Sequence, residues 1–275
     1  MALSDINPAT RLETFLQGIA DGQNTEAPST RIEEFMSRIA ERVNAIPITP
    51  QMFGAVGDGT ADDKKAIQDA LDNMDDNTVL FIPEGEYRIT GTLYIKKSGS
   101  YIYGCGVNTK ITKDFNGNMI ENVAGSRLTD VNITDLYLYG NNKTGDGIHT
   151  YRDNETNTRC GAINIERVWV TYNGGVGINL LENYIARVVN CNVYNNGTGI
   201  HASVANGTYI STNEVYGNEY GIIVDGGSFA ATIDNNTIQE NTAAGVLLAA
   251  AYACSVTNNY FEIHKFYILD RCKIQ

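Results

Sequence analysis

From about residue 130 the chain repeats a short apolar pattern. One series, Leu138, Val170, Val193, Val215, Ile238 and Phe261, recurs at steps of 32, 23, 22, 23 and 23. Five positions earlier runs Ile133, Ile165, Val188, Ile210, Ile233 and Val256, all β-branched. A third marker is a glycine followed by Ile or Val, at Gly147, Gly177, Gly199, Gly221 and Gly245. The long first step in each series comes from one insertion, roughly residues 150–160.

A period of about 22 residues suits a leucine-rich repeat or a β-solenoid. Leucine is scarce in these columns, and each unit reads as short alternating strands broken by Asn, with no helical run. One coil cannot bury its inner face alone, so coils must stack, residues one period apart lying above one another at about 4.8 Å. The pattern predicts an all-β chain, a single-stranded parallel β-helix. Asp135, Arg167, Asn190, Thr212, Asn235 and Asn258 fall three positions before the first series, and the last two are expected to form an asparagine ladder.

Ahead of the coils, Ala66, Ile67, Ala70, Leu71 and Met74 share one face of a predicted helix. Thr60 and Asp63 have capping-box spacing before it. A β-helix leaves an unpaired edge at its first coil that has to be covered, and Asp58 and Asp62 are expected to be turn and cap residues. Residues 1–45 carry a separate repeat. Residues 10–20 and 30–40 share six of eleven identities, and Leu12, Phe15, Leu16 and Ile19 match Ile32, Phe35, Met36 and Ile39 at helical spacing. Helices this short are marginal alone. Their apolar faces are expected to dock on each other, on copies in an oligomer, or on a partner. The chain thus divides into a tandem helical anchor or oligomerisation segment, 1–45, and a β-helix, 46–275.

Composition changes this picture little but narrows function. With 20 basic and 32 acidic residues the net charge is −12, which argues against nucleic acid. There is no apolar run long enough for a membrane span, and no basic n-region or apolar stretch of a secretory signal opens the chain. The expectation is a protein made in the cytoplasm with neither nucleic-acid nor membrane partners. Thirty Asn and 27 Gly supply residues tolerant of left-handed corners. The five cysteines form no CxxC pair, so no disulfide framework or metal site is expected, only buried thiols.

The string FGAVGDGTADDKKAIQDAL at 53–71, with TVLFIPEGEYRIT at 78–90 and YIYGCGVNTKIT at 101–112, resembles the opening of the pectate-lyase-like superfamily. The resemblance covers about residues 53–262. It implies a right-handed β-helix, the fold of polygalacturonases, alginate epimerases and phage tailspike depolymerases. The His-Gly and Arg-x-Lys motifs of polygalacturonases are absent, and so is a matching acidic cluster for the calcium of pectate lyases. The tandem helices are similar to N-terminal segments of phage virion proteins. Together these imply a tailspike- or fibre-like virion protein, a homotrimer joined to other virion proteins through residues 1–45, recognising host-surface glycan. A free polysaccharide lyase or glycoside hydrolase is the alternative, and a non-catalytic structural spike the third. No cofactor is called for, save calcium in the lyase case.

Chemistry is expected where the insertion meets a polar column. Asp146, His149, Asp153 and Glu155 are the catalytic candidates, as the carboxylates of a glycosidase or with His149 as a lyase base. Arg152, Asn179 and His201 are substrate-binding candidates, Arg152 as the enolate stabiliser. Tyr139, Tyr194 and Tyr216, in an outward series with Thr171, would offer sugars a platform.

Overall fold

The computed structural model describes residues 47–75, 78–123, 127–151, 160–262, 267–268 and 273–274. The tandem helices of 1–45, and Arg152, Asp153 and Glu155, lie outside the described residues. From Ile48 onward the chain forms one unit. Each full coil gives one short strand to each of three parallel sheets. In the coil beginning at Arg187 these are Arg187–Val189 in sheet 1, Asn192–Tyr194 in sheet 2 and Thr198–Ser203 in sheet 3. Among the described residues the sheets hold ten, nine and eight strands respectively.

The register follows the predicted columns. Ile133, Ile165, Val188, Ile210, Ile233 and Val256 pair successively in sheet 1 and are at most 3% exposed. Leu138, Val170, Val193, Val215, Ile238 and Phe261 pair successively in sheet 2, all fully buried except Phe261, which is exposed in the last strand of that sheet. Burying each such side chain is worth roughly 1.5–3 kcal/mol, and stacking buries a continuous core. The glycine column has a steric cause. A Cβ at Gly147, Gly177, Gly199 or Gly221 would lie 2.4–2.7 Å from the carbonyl oxygen of the glycine one coil on.

The six corner residues between sheets 1 and 2, Asp135 to Asn258, all have left-handed φ of 52–57°. They are corners, not a ladder. The ladder lies one residue later: Asn213 Nδ2 donates to Asn236 Oδ1 (2.9 Å) and Asn236 Nδ2 to Asn259 Oδ1 (2.8 Å). Expectation and structure differ by one position because each NN pair gives its first residue to the turn and its second to the interior.

The helix Lys64–Asp72 buries Ala66, Ile67, Ala70 and Leu71, with Met74 just beyond it. Thr60 lies in the strand Asp58–Asp62, and the Asp63 carboxylate turns back to accept from the N–H groups of Val56 (2.7 Å) and Gly57 (3.1 Å), so no capping box forms. Asp62 instead accepts from Lys64 N–H (3.1 Å), and Asp58 from Thr60 and Ala61 N–H (2.8 Å each). Gln68 closes the edge of sheet 3 directly. Its side-chain amide donates to Tyr94 O (3.0 Å) and accepts from Tyr94 N–H (2.8 Å), as a neighbouring strand would.

Two smaller points complete the fold. Cys160, Cys191 and Cys254 are buried as expected, but Cys105 is exposed. Burial pushes the Cys191 thiol up to about 12. Beyond Glu262 the backbone continues the coil, Tyr267–Ile268 pairing in sheet 3 and Lys273–Ile274 in sheet 1.

Candidate functional site

Sheet 3 brings Asp146, His149 and Asn179 together. His149 points outward from the strand Ile148–Thr150, with Asn179 directly above it and Glu121 directly below. Asp146 reaches the gap from the preceding turn. Its Oδ2 lies 2.6 Å from His149 Nδ1 and accepts from Asn179 Nδ2 (2.8 Å), while Oδ1 accepts from the N–H of Val176 (2.7 Å). A Cβ at Gly175 would stand 2.4 Å from that Oδ1, so only glycine admits the carboxylate.

The electrostatics assign roles. Burial by itself pushes the Asp146 carboxyl up, but the bonds from His149, Asn179 and Val176 outweigh it and hold the group below the usual carboxylate range. An ionised Asp146 accepts only, so Nδ1 of the imidazole is the donor to it, and in the neutral ring Nε2 carries the lone pair. That Nε2 is buried and has no hydrogen-bond partner among the described residues. The Tyr151 ring packs 4.1 Å from the imidazole, centroid to centroid. Burial, with the nearby Glu121 charge, pushes the Tyr151 hydroxyl up, so it stays protonated. Asn118 ties the rim together: its Nδ2 donates to Glu121 Oε2 (2.7 Å) and its Oδ1 accepts from Asp146 N–H (2.9 Å).

The other candidates lie apart. His201 is next above Asn179 in the same column, its Nε2 3.1 Å from Asp225 Oδ1. Tyr139, Tyr194 and Tyr216 lie on sheet 2, a different face. Thr171 is fully buried rather than outward, and Tyr172 fills its place in the row, 5.5 Å from Tyr139 and 6.2 Å from Tyr194. Tyr194 and Tyr216 stack at 4.6 Å and 10°, which occupies their facing ring surfaces and leaves rims and hydroxyls outward. Among the described residues no three His, Cys, Asp or Glu side chains converge. Calcium takes about six to eight oxygens, and Asp146 already spends both of its own on protein donors, so the described donor set does not fit that ion.

Glu121, Tyr151 and Asn118 escaped the sequence reading. Glu121 and Asn118 precede the first aligned coil, and only the register Tyr94–Glu121–His149 joins Glu121 to the column.

A mannuronan C5-epimerase of Azotobacter vinelandii, AlgE3, is 29% identical over 223 residues, which is 71% of this chain and 12% of that protein's length. The solved A-module of the mannuronan C-5 epimerase AlgE4 from the same organism superposes with a TM-score of 0.64 at 21% identity, over 82% of this chain and 75% of that one. The Dettilon tailspike protein superposes with a TM-score of 0.61 at 13% identity, over 82% of this chain and 47% of that one. Both likenesses are of fold. Residues 116–273 match the family model of the right handed beta helix region. With three parallel sheets, an inward aliphatic column in every coil and that match over more than half its length, the chain belongs to the right-handed β-helix family.

Proposed function

We propose that this chain binds a uronate-containing polysaccharide on sheet 3 and processes it by removing the proton beside the uronate carboxylate, with His149 as the base. One observation carries the reading: Asp146 fixes the imidazole through Nδ1 and leaves a partnerless Nε2. Once substrate binding uncovers the buried Nε2, it takes the C5 proton, and the electron pair passes into the carboxylate as an enediolate. From there either the O4 substituent leaves, giving a C4–C5 double bond, or a proton returns to the opposite face and inverts the sugar. The Tyr151 hydroxyl, still protonated and beside the base, protonates the departing O4 in the elimination branch, while the inversion branch needs a donor on the other face of the ring. A two-carboxylate hydrolysis fits less well, because Asp146 is held ionised by three donors and cannot serve as the acid. The epimerase names among the relatives support a uronate substrate.

The setting we propose is a tailspike- or fibre-like virion protein acting on host-surface glycan, a homotrimer joined to its particle through residues 1–45. Its support is the fold shared with the Dettilon tailspike and the two amphipathic repeats. In light scattering the full chain should run as a multiple of 30.0 kDa, and a clean monomer would end this part of the reading.

The reaction is tested on polymannuronate, following unsaturated uronate by absorbance and C5 inversion by proton NMR. His149→Ala and Asp146→Asn should each lose activity by about 100-fold or more with unchanged melting, while Asp153→Asn and Glu155→Gln retain it. Full activity in the first two removes His149 as the base, and loss confined to the last two restores the glycosidase reading.

A further inference from the structure

A second concavity lies away from His149. A groove of about 710 Å³ runs along the outer face of sheet 1. Its floor is the column Asn132, Asn164, Arg187 and Tyr209, in register across four coils. Three coil steps make it about 14 Å long, the reach of a short oligosaccharide, and its volume lies within the ordinary range of ligand sites.

The charges in this groove are uneven. Glu166 on its margin is ion-paired with Arg167, which also grips Asp135 with Nε (2.7 Å) and Nη2 (2.8 Å). Arg88 is likewise held by Asp114. Asp130 also lines the groove, but among the described residues Arg187 has no carboxylate partner; its guanidinium lies over the Tyr209 ring, 4.9 Å from the centroid. Stacking fixes the plane of the fork and leaves its N–H groups for a planar anion. Beside it Asn164 Nδ2 donates to Asn132 Oδ1 (3.3 Å), which leaves Asn132 Nδ2 and Asn164 Oδ1 as a donor and an acceptor for vicinal hydroxyls. With a net charge of −12, the chain offers an anionic polymer no long-range attraction, so capture depends on a local cation such as this one.

We infer that the sheet 1 groove is a second saccharide-binding site, separate from the His149 centre, that takes a uronate-bearing oligosaccharide with Arg187 on a sugar carboxylate and the Asn132–Asn164 pair on sugar hydroxyls. The inference does not need His149 to be a base. Two sites on different faces let one chain hold a polymer while another stretch meets sheet 3, and a second attachment acts through effective concentration without strengthening either contact.

The test titrates tetramannuronate into the full-length protein by calorimetry in a His149→Ala background, with neutral maltotetraose as the control. Tetramannuronate should bind and maltotetraose should not. Arg187→Ala, at an exposed position, should leave melting unchanged and weaken binding by about tenfold or more. Arg187→Lys, which keeps the charge but loses the fork, should fall between. A binding stoichiometry and affinity that Arg187→Ala leaves unchanged in the His149→Ala background, or no binding in that background at all, overturns the second site. Neither result bears on the reaction proposed at His149, which is read from activity on polymannuronate alone.

Discussion

In the later coils the corner between sheets 2 and 3 is closed by asparagines, and in the early coils a lysine meets the same need. Asn173, Asn196, Asn218 and Asn241 form a second ladder inside the coil, each amide bonding to the next at 3.0–3.2 Å. Asn196, Asn218 and Asn241 also donate to inward carbonyls, those of Val170, Val193 and Val215, at 3.0–3.1 Å. In the early coils Lys113 is fully buried, and its Nζ donates to the carbonyls of Gly117 (3.1 Å), Thr144 (3.2 Å) and Gly145 (3.2 Å). A ladder demands the same residue at the same depth in every coil. The corner that delivers Asp146 to His149 cannot meet that demand, and a long cationic side chain can satisfy carbonyls at irregular positions. Regular closure gives way to a single charge where the site sits.

The comparison can be broken at either end. Asn218→Leu strips Val193 O of its donor and leaves Asn196 N–H and Nδ2 facing an apolar side chain. A loss of about 3–5 kcal/mol in denaturant unfolding is expected; a loss under about 1 kcal/mol would mean the ladder is ornament. Lys113 should act more weakly but carries a distinctive pH signature. Burial lowers its pKa from 10.5 to about 8. Above pH 8 the unfolded chain therefore holds more protons than the folded one, and stability rises with pH between about 8 and 10.5. Lys113→Met should cost roughly 1–3 kcal/mol at pH 7 and flatten that rise. An unchanged slope in the variant would assign the titration to another group.

The inward columns were legible because one aliphatic residue per coil is buried whatever surrounds it, and spacing alone finds such a series. The ladder was misread by one position at Asn235–Asn236 and Asn258–Asn259, since identical neighbours carry no sign of which one turns the chain. Asp63 was misread because its partners, the N–H groups of Val56 and Gly57, lie behind it in sequence while helix caps look forward. At the site, the column His149–Asn179–His201 followed from the period, and Asp146 from its place beside it. What grips Asp146 did not follow: Val176 N–H is 30 residues away and is reached only because Gly175 lacks a Cβ. The sheet 1 groove was passed over although its floor stands one residue before the isoleucine column. Asn, Asn, Arg and Tyr share no hydropathy, so a search for apolar recurrence skips them.

The repeated contact between Asn213, Asn236 and Asn259 makes the length of this molecule a quantised property. Each rung sends the same amide donor up to the next coil and offers the same amide oxygen down to the previous one, 23 positions apart. Excising 23 residues would set Asn213 against Asn259 with an identical bond, and duplicating them would insert a further rung. The solenoid can therefore shrink or grow only in whole steps of about 4.8 Å. Any length change that is not a whole coil has to be absorbed at a corner, which in the sequence is where the extra residues between Thr150 and Cys160 stand. Genetic drift in such a chain acts as a ruler marked in coils, with variation in chemistry confined to the intervals between marks.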